Sequence, residues 1–141
     1  EIVSRDWSSD VCSSDLLPTS INLPRKTTKD KKYLLNLNHF RNAHYRLNNE
    51  AKQYYKKVVA GVIETLPKFT TPISITYKVM LSRRVGDVAN VASIVDKFFC
   101  DALVGAKKLN DDSYKHLPKV IYQFECINKD NPCCLVVITT L

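Results

Sequence analysis

The sequence predicts an α+β fold in which a small mixed β-sheet packs with two main helices in a single domain. Hydrophobic residues follow strand-like patterns in four segments and a helical period in two, in the order strand, helix, strand, helix, strand, strand. The chain has 141 residues, of which 45% are hydrophobic, so it can bury one core but is short for two domains. No apolar run approaches the roughly 20 residues of a membrane-spanning helix.

The first half of the chain contains one predicted strand and one predicted helix. Residues 19–23 form a short strand-like stretch. Residues 51–66 place apolar side chains three and four positions apart, which predicts an amphipathic helix. Asn48 or Asn49 is placed to cap its start, and Pro67 marks its end because the residue before a proline avoids the helical conformation.

The second half contains three predicted strands and a second predicted helix. Ile73–Leu81 alternates between apolar and polar residues, as a half-buried strand does. Asp87 occupies the N-cap position of a helix over residues 88–104, and a glycine follows that helix. Residues 119–128 alternate again, and Cys133–Thr140 is an apolar run rich in β-branched residues, so two further strands are expected.

The first sixteen residues differ in composition from the remainder, because they are rich in Ser and Asp and contain no Lys. Residues 6–16, DWSSDVCSSDL, resemble a translated frame of a common sequencing-library adapter. We therefore interpret residues 1–16 as a non-native segment and residues 17–141 as the genuine domain. The alternative interpretation is a disordered native N-terminus.

The charge of the genuine domain predicts a polyanionic partner. Residues 1–16 account for one of the 21 basic and four of the 14 acidic residues, so 20 basic and 10 acidic residues remain, a net charge of +10. Nucleic acid is the first candidate for a partner of such a chain. The alternative is a basic soluble protein with no nucleic-acid role.

Half of the remaining acidic residues fall within one short stretch of this basic chain. They are Asp87, Asp96, Asp101, Asp111 and Asp112. Like charges that lie close together are unfavourable unless a cation holds them, and oxygen ligands without histidine favour Mg²⁺ or Mn²⁺. The alternative assigns each acid an ordinary role, as an N-cap, as the partner of a lysine on the helix, or as a turn residue.

Helical geometry sorts these acids onto different faces of the second helix. With 3.6 residues per turn, Asp87, Asn90, Lys97 and Asp101 fall on one flank, beside the apolar face. Asp96 lies about 180° around the helix from Asp87 and is expected to face elsewhere. A metal ion on that flank would activate water at a phosphodiester while the basic surface binds the nucleic-acid backbone.

The same residues resemble the motifs of the RusA family of Holliday junction resolvases. That family has an Arg-rich strand end, an Asp-x-Asp-Asn motif, a Lys before Asp-Ala-Leu, and a paired Asp-Asp. The counterparts here are Arg83-Arg84, the sequence DVAN from Asp87, the sequence KFFCDAL from Lys97, and LNDD ending at Asp112. The interval from Asp101 to Asp112 also agrees. The resemblance extends from about residue 21 to the C-terminus.

This resemblance implies a RusA-like homodimer that binds four-way DNA junctions and cleaves them symmetrically with Mg²⁺ (or Mn²⁺), in the cytoplasm of a bacterial or phage-infected cell. It implies catalytic roles for Asp87, Lys97 and Asp112, and support from Asn90. The implied metal ligands are Asp87, Asp101, Asp111 and Asp112. The implied contacts to DNA phosphates are Arg25, Lys26, Lys29, Lys31, Lys32, Arg83 and Arg84.

Two departures from the family pattern motivate a second hypothesis. The second Asp of the family motif is Ala89 here, and the stretch from Asn90 to Lys97 is one helical turn longer than the usual form. In an active enzyme, Asp96 and Asp101 are the candidates to replace the lost ligand. A junction-binding or DNA-binding protein of the same fold with weakened catalysis is the alternative, and a basic scaffold protein is the third hypothesis.

The cysteines of the genuine domain lack the spacing of a zinc site. Cys100 falls in the second helix, and Cys126, Cys133 and Cys134 fall in predicted strands. We expect all four to be core thiols in a reducing compartment, which agrees with a cytoplasmic protein.

Overall fold

A computed structural model describes residues 4–6, 16–83 and 86–141 of the chain. Its strands are β1 Ser4–Asp6, β2 Leu17–Pro18, β3 Ser20–Leu23, β4 Lys31–Leu34, β5 Ile73–Leu81, β6 Lys119–Ile127 and β7 Cys133–Thr140. Its helices are α1 Leu37–Asn42, α2 Tyr45–Val58, α3 Ala60–Glu64 and α4 Val88–Gly105. The predicted α+β fold with a small mixed sheet is confirmed.

The strand β5 is the centre of the main sheet, whose order is β1-β7-β5-β6 with β2 also paired to β7. β5 runs parallel to β6 and antiparallel to β7. Every second residue of β5, from Ile73 to Leu81, is buried, as the alternation predicts. α4 connects β5 to β6, so its amino end follows the carboxyl end of β5 and its carboxyl end leads back toward the start of the sheet.

The core forms where α4 packs on the sheet and on the two helices before it. Phe98 of α4 is 1% exposed, and its ring lies 6.0 Å from that of Tyr33 and 5.6 Å from that of Tyr55, measured between centroids. Phe99 faces the sheet, with its ring 6.3 Å from that of Tyr77. Removing a ring of this kind from a core typically costs about 3–5 kcal/mol of folding free energy. Because its two phenylalanines contact both the first half of the chain and the main sheet, α4 joins the two halves of the chain.

The first half departs from the sequence predictions at several points. The hairpin β3–β4 includes a strand at Lys31–Leu34 where no strand was predicted, and α1 was not predicted either. The helix predicted over residues 51–66 begins earlier, at Tyr45, and divides into α2 and α3 at Val59.

The predicted cap of that helix is also wrong. The Nδ1 of His44 accepts a hydrogen bond from the backbone N–H of Arg46 and so caps α2. Asn48 instead lies inside the helix and is buried, where its Oδ1 accepts a hydrogen bond from the Tyr33 hydroxyl at 2.6 Å. A buried amide needs such partners, and its value as a partner for Tyr33 outweighs its local capping preference.

The segment that we interpret as non-native lies mostly outside the described residues. Ser4–Asp6 is described, and it pairs antiparallel with Val137–Thr139 of β7. The segment therefore supplies an edge strand to the main sheet, while its origin stays a prediction. Among the described residues, no helix is long and apolar enough to cross a membrane.

Candidate functional site

A cleft opens where the carboxyl end of β5 meets the amino end of α4. The hairpin β3–β4, helix α1 and the turn between β6 and β7 form its other walls. The charged residues that line it are Lys32, Arg83, Asp87, Lys129 and Asp130. The cleft therefore combines three cations with two carboxylates, and the amino end of α4 adds the partial positive charge of its unpaired N–H groups.

Asp87 lies in this cleft because it caps α4, as predicted. Its Oδ1 accepts a hydrogen bond from the backbone N–H of Ala89 at 3.0 Å, and its side chain is exposed. Gly86, the residue before this cap, lies close to the side chain of Leu81, because a Cβ at that position would lie 2.7 Å from Cδ1 of Leu81. The cap engages one oxygen of an exposed carboxylate, and the other oxygen is the one that can meet a cation or a phosphate-bound metal.

Ser93 adds a polar atom to the same wall of the cleft. It lies on α4 and lines the cleft, and its Oγ is buried without a hydrogen-bond partner among the described residues. A buried hydroxyl without a partner costs free energy. Such an atom is consistent with a site in which a ligand or water completes the hydrogen bonding.

The predicted polar flank of α4 faces the helices α1 and α2. The Oδ1 of Asn90 accepts a hydrogen bond from the backbone N–H of Leu37 at 3.0 Å, at the start of α1. The Nζ of Lys97 lies 5.7 Å from the centroid of the Phe40 ring, a cation–π distance. The same flank also carries an ion pair near the carboxyl end of α4.

That ion pair joins Asp101 to the helix α2. Its Oδ2 lies 3.6 Å from Nζ of Lys52, whose own ammonium lies 5.9 Å from the Phe40 centroid. Asn90, Lys97 and Asp101 thus have partners that hold helices together. Their shared flank agrees with the helical geometry, and their partners are structural.

Asp111 and Asp112 lie in the loop between α4 and β6. The backbone N–H of Phe69 donates to the carbonyl of Lys108, and that of Ile73 to the carbonyl of His116. These bonds hold the loop against the start of β5. Hydrogen bonds from Ser113 and from the backbone N–H of Asp112 lower the pKa of Asp111, which is exposed and ionised at neutral pH.

The four predicted metal ligands do not surround a single point. Asp87 and Asp101 are fourteen positions apart on one continuous helix, which separates them by about 21 Å along its axis. Asp112 precedes the start of β6, whereas Asp87 follows the end of β5, and those strands run parallel. Asp87 therefore lies toward one end of the sheet, and Asp101, Asp111 and Asp112 lie toward the other.

The donor chemistry nevertheless suits a magnesium ion in the cleft. Within residues 4–6, 16–83 and 86–141, no group of three or more His, Cys, Asp or Glu side chains is arranged to hold a metal. Mg²⁺ usually keeps several waters and is bound by one or two carboxylates together with substrate phosphates. Asp87 and Asp130 both line the cleft and match that smaller requirement in number and donor type, whereas the four-carboxylate set is spread over both ends of α4.

Asp96 forms a polar network with β5 and β6 and therefore does not replace the ligand lost at Ala89. It faces away from the Asp87 flank, as predicted, and its Oδ2 accepts a hydrogen bond from the Tyr122 hydroxyl at 2.8 Å. Its Oδ1 accepts one from Sγ of Cys100 at 3.2 Å, and the Tyr77 hydroxyl lies 3.7 Å from the same sulfur. Burial first, then Asp96, raises the pKa of the Cys100 thiol, which stays protonated and inert.

The predicted phosphate contacts divide into exposed and engaged residues. Arg25 donates two hydrogen bonds to the Glu50 carboxylate, at 2.6 and 3.2 Å, and this contact raises the pKa of its guanidinium. Arg83 is exposed and lines the cleft, while Arg84 lies outside the described residues. The remaining four predicted contacts are exposed on β4 and the turn before it: Lys26, Lys29, Lys31 and Lys32.

Two cleft residues were missed because nothing local in the sequence marks them. Lys129 and Asp130 lie in the turn between β6 and β7, and an ordinary surface turn has the same composition. Only the antiparallel return of β7 beside β5 brings that turn to the cleft.

The cysteine prediction is confirmed at three of its four positions. Cys100, Cys133 and Cys134 are buried free thiols, whereas Cys126 is exposed on β6, so the prediction is wrong for that residue.

A search of family models and a search of curated proteins each found no match to this chain.

Proposed function

We propose that this chain is a Mg²⁺-dependent, structure-specific endodeoxyribonuclease of the RusA type, which resolves four-way DNA junctions in the cytoplasm. The observation that supports this best is the cleft at the amino end of α4. It places the exposed carboxylate of Asp87 among Lys32, Arg83 and Lys129, so that cations for phosphate and oxygen ligands for a metal face the same space. The resemblance of the surrounding motifs to RusA resolvases supports the same reaction.

Each charged group in the cleft has a distinct task in this proposal. Lys32, Arg83 and Lys129 bind backbone phosphates and hold one strand against α4. Asp87 accepts a hydrogen bond from the backbone N–H of Ala89 through one oxygen, and in this proposal its second oxygen would hold a metal ion next to the bound phosphate. A magnesium ion bound there would lower the pKa of a water molecule and stabilise charge at the scissile phosphate.

The direct test measures cleavage of a labelled four-way junction by the full chain. We expect symmetric nicking with Mg²⁺, no cleavage with EDTA, and no cleavage of a linear duplex of the same sequence. Cleavage of duplex and junction at equal rates would contradict junction specificity and leave a general nuclease.

Variants of the cleft cations separate binding from the chemistry. Arg83→Gln and Lys129→Gln should weaken junction affinity and reduce its salt dependence, because each removes one phosphate contact. Each contact contributes about 0.9 to the slope of log affinity against log salt concentration. Lys115→Gln is the matched control, since Lys115 is exposed and does not line the cleft. Equal affinities for all three variants would place the DNA on another surface.

A junction-binding protein without cleavage is the second candidate function. Ala89 lies in the cleft at the position where the family motif has a carboxylate. The loop with Asp111 and Asp112 lies at the other end of α4. Tight, salt-sensitive junction binding with no Mg²⁺-dependent product would establish this alternative.

A further inference from the structure

The cleft adjoins a second hollow that the proposed function does not use. Leu34, Asn36 and Asn38 line both hollows, which together form a trough from the amino end of α4 past β4 and α1. The second hollow is also lined by Ala43 and Leu47, which lie on either side of the start of α2. A strand bound in the cleft can therefore extend along this trough to the first turn of α2.

The segment that lines the second hollow is strongly basic. Residues 26–49 contain six Lys and Arg residues and a single acidic residue, Asp30. All six cations are exposed: Lys26, Lys29, Lys31, Lys32, Arg41 and Arg46. This surface is therefore complementary in charge to a polyanion that leaves the cleft.

An exposed aromatic ring lies among these cations. Tyr45, the first residue of α2, is 62% exposed. Its ring lies 4.6 Å from the His44 ring between centroids, at an angle of 32°. The Nε of Arg46 donates a hydrogen bond to the Tyr45 hydroxyl at 3.4 Å, and the guanidinium lies 5.9 Å from the ring centroid. His44 and Arg46 thus position the ring and leave most of it open to solvent.

The chemistry of this cluster suits an unpaired nucleotide. Proteins that bind single strands combine a basic groove with aromatic rings on which bases stack. Bases inside a duplex already stack on their neighbours, so only an unpaired base can stack on Tyr45. Asn38 and Asn42 are exposed on α1, and their amide groups can form hydrogen bonds with base edges that pairing would otherwise occupy.

We propose that the trough binds an unpaired DNA strand, with one base stacked on Tyr45 and the flanking phosphates bound by Arg46 and Lys31. The proposal deepens the proposed function, because it adds unpaired nucleotides next to the cleft to the substrate. It rests on that function only for the identity of the strand as DNA. DNA that exposes unpaired bases would then bind more tightly than a continuous duplex.

Fluorescence anisotropy of a labelled oligothymidylate, with EDTA to prevent cleavage, tests the stacking. Tyr45→Ala should weaken binding of the full chain roughly 5- to 150-fold, which is the loss expected for one stacked base. Tyr45→Phe keeps the ring and should stay within about twofold of the wild type. Neither variant should change the affinity for a blunt duplex by more than about twofold, because paired bases cannot reach the ring.

Tyr114→Ala is the matched control for the loss of an exposed tyrosine. Tyr114 is 78% exposed, lies in the loop before β6 and lines neither hollow. Its substitution should leave both affinities unchanged. Circular dichroism checks that every variant stays folded.

A fluorescent reporter tests the contact directly. Trp7 is the only tryptophan of the chain, so Trp7→Phe provides a dark background. In that background the emission of Tyr45→Trp should be quenched as the oligothymidylate binds, because a base stacks on the indole ring. The emission of Tyr114→Trp should not change.

Three results would overturn the proposal. They are equal single-strand affinities for Tyr45→Ala and Tyr114→Ala, equal losses of single-strand and duplex affinity in Tyr45→Ala, and an unquenched Tyr45→Trp. Junction cleavage by a chain that gives any of them would support the proposed function and contradict this inference alone. Quenching of Tyr45→Trp by a chain that never cleaves a junction would support this inference and contradict the nuclease.

Discussion

The hydroxyl of Tyr122 donates a hydrogen bond to Oδ2 of Asp96 at 2.8 Å, and this contact ties the edge strand β6 to the helix α4. The ring of Tyr122 also lies 6.0 Å from that of Tyr77 on β5. Burial and the Asp96 carboxylate both raise the pKa of Tyr122, so its hydroxyl keeps the proton that it donates. Asp96 is therefore a link between layers of the fold, away from the cleft that contains Asp87.

Removing either partner of this hydrogen bond should lower the free energy of unfolding. We expect Tyr122→Phe and Asp96→Asn each to cost about 1 kcal/mol, which is less than a fully buried charged hydrogen bond because Tyr122 is 37% exposed. The double variant should lose less free energy of unfolding than the two single variants lose together, because both substitutions remove the same interaction. Urea denaturation at a fixed protein concentration measures all three values.

Tyr114→Phe serves as the control for the loss of a phenol, because Tyr114 is 78% exposed. Strictly additive losses in the double variant would mean that the hydrogen bond contributes nothing in solution.

The pKa of His39 predicts how stability changes with pH. Burial, and then the nearby charge of Lys31, lower this pKa from its usual 6.5, and the imidazole packs edge-on to the Tyr33 ring at 4.6 Å. The unfolded chain therefore binds a proton more readily than the folded chain. The contribution of His39 to the free energy of unfolding is fully present above about pH 6.5. It is lost as the pH falls through the lower pKa that His39 has in the folded chain.

We expect the melting temperature to fall as the pH is lowered from 7 toward 5, and His39→Gln to reduce that slope. His116→Gln, in the loop before β6, should keep the wild-type slope. Identical slopes for His39→Gln and the wild type would show that other groups set this pH dependence.

The sequence predicted best those elements whose own hydrophobic pattern matches their final burial. Ile73–Leu81 was predicted with its exact bounds because every second side chain enters the core, and Asp87 was predicted as the cap of α4 because its role is local. Asn48 was misassigned because its partner, Tyr33, lies in another element. For the same reason the alternation in β6 did not reveal that both of its faces stay exposed.

The candidate site was only partly predictable from the sequence. The spacing of the acids correctly placed Asn90, Lys97 and Asp101 on one flank of α4. It did not reveal that α1 and α2 cover this flank, which depends on long-range packing around Phe40. Spacing in sequence also could not show that a straight helix separates Asp87 from the acidic loop.

Deletion of residues 1–16 tests the interpretation of that segment. The truncated chain would lose the three residue pairs between Ser4–Asp6 and β7. A few edge hydrogen bonds contribute about 0.5–1.5 kcal/mol each, and ordering three residues costs about 1–2 kcal/mol each. We therefore expect the melting temperature and the DNA affinity to stay within error, and a loss of several degrees would show that the strand is part of the stable fold.

Charge removal at Asp87 and at Asp112 tests the two ends of α4 separately. Asp87→Asn keeps the N-cap, because asparagine caps as well as aspartate, and should abolish junction cleavage while leaving binding intact or slightly tighter. Asp112→Asn should do the same if Asp112 has the role that the RusA resemblance implies. Since the two carboxylates lie too far apart to share one ion, each variant measures its own contribution.

Asp96→Asn is the control for charge removal on α4, and it should retain cleavage at temperatures where it is folded. Full cleavage by Asp112→Asn would assign the chemistry to the cleft alone and contradict the implied role of Asp112. Full cleavage by Asp87→Asn would contradict the proposed function.

The substitution Ala89→Asp tests whether the missing carboxylate of the family motif weakens the site. Ala89 is exposed, lines the cleft, and lies in the first turn of α4, where a negative charge is favourable next to the helix N–H groups. A carboxylate there adds an oxygen ligand beside Asp87, so we expect faster cleavage or a lower Mg²⁺ requirement, measured as initial rates over a Mg²⁺ titration.

Ala89→Asn is the matched control, because it has the same shape without the charge and should behave as the wild type. A loss of activity specific to Ala89→Asp would mean that another carboxylate already occupies that place, and Asp130, which also lines the cleft, is then the residue to substitute next.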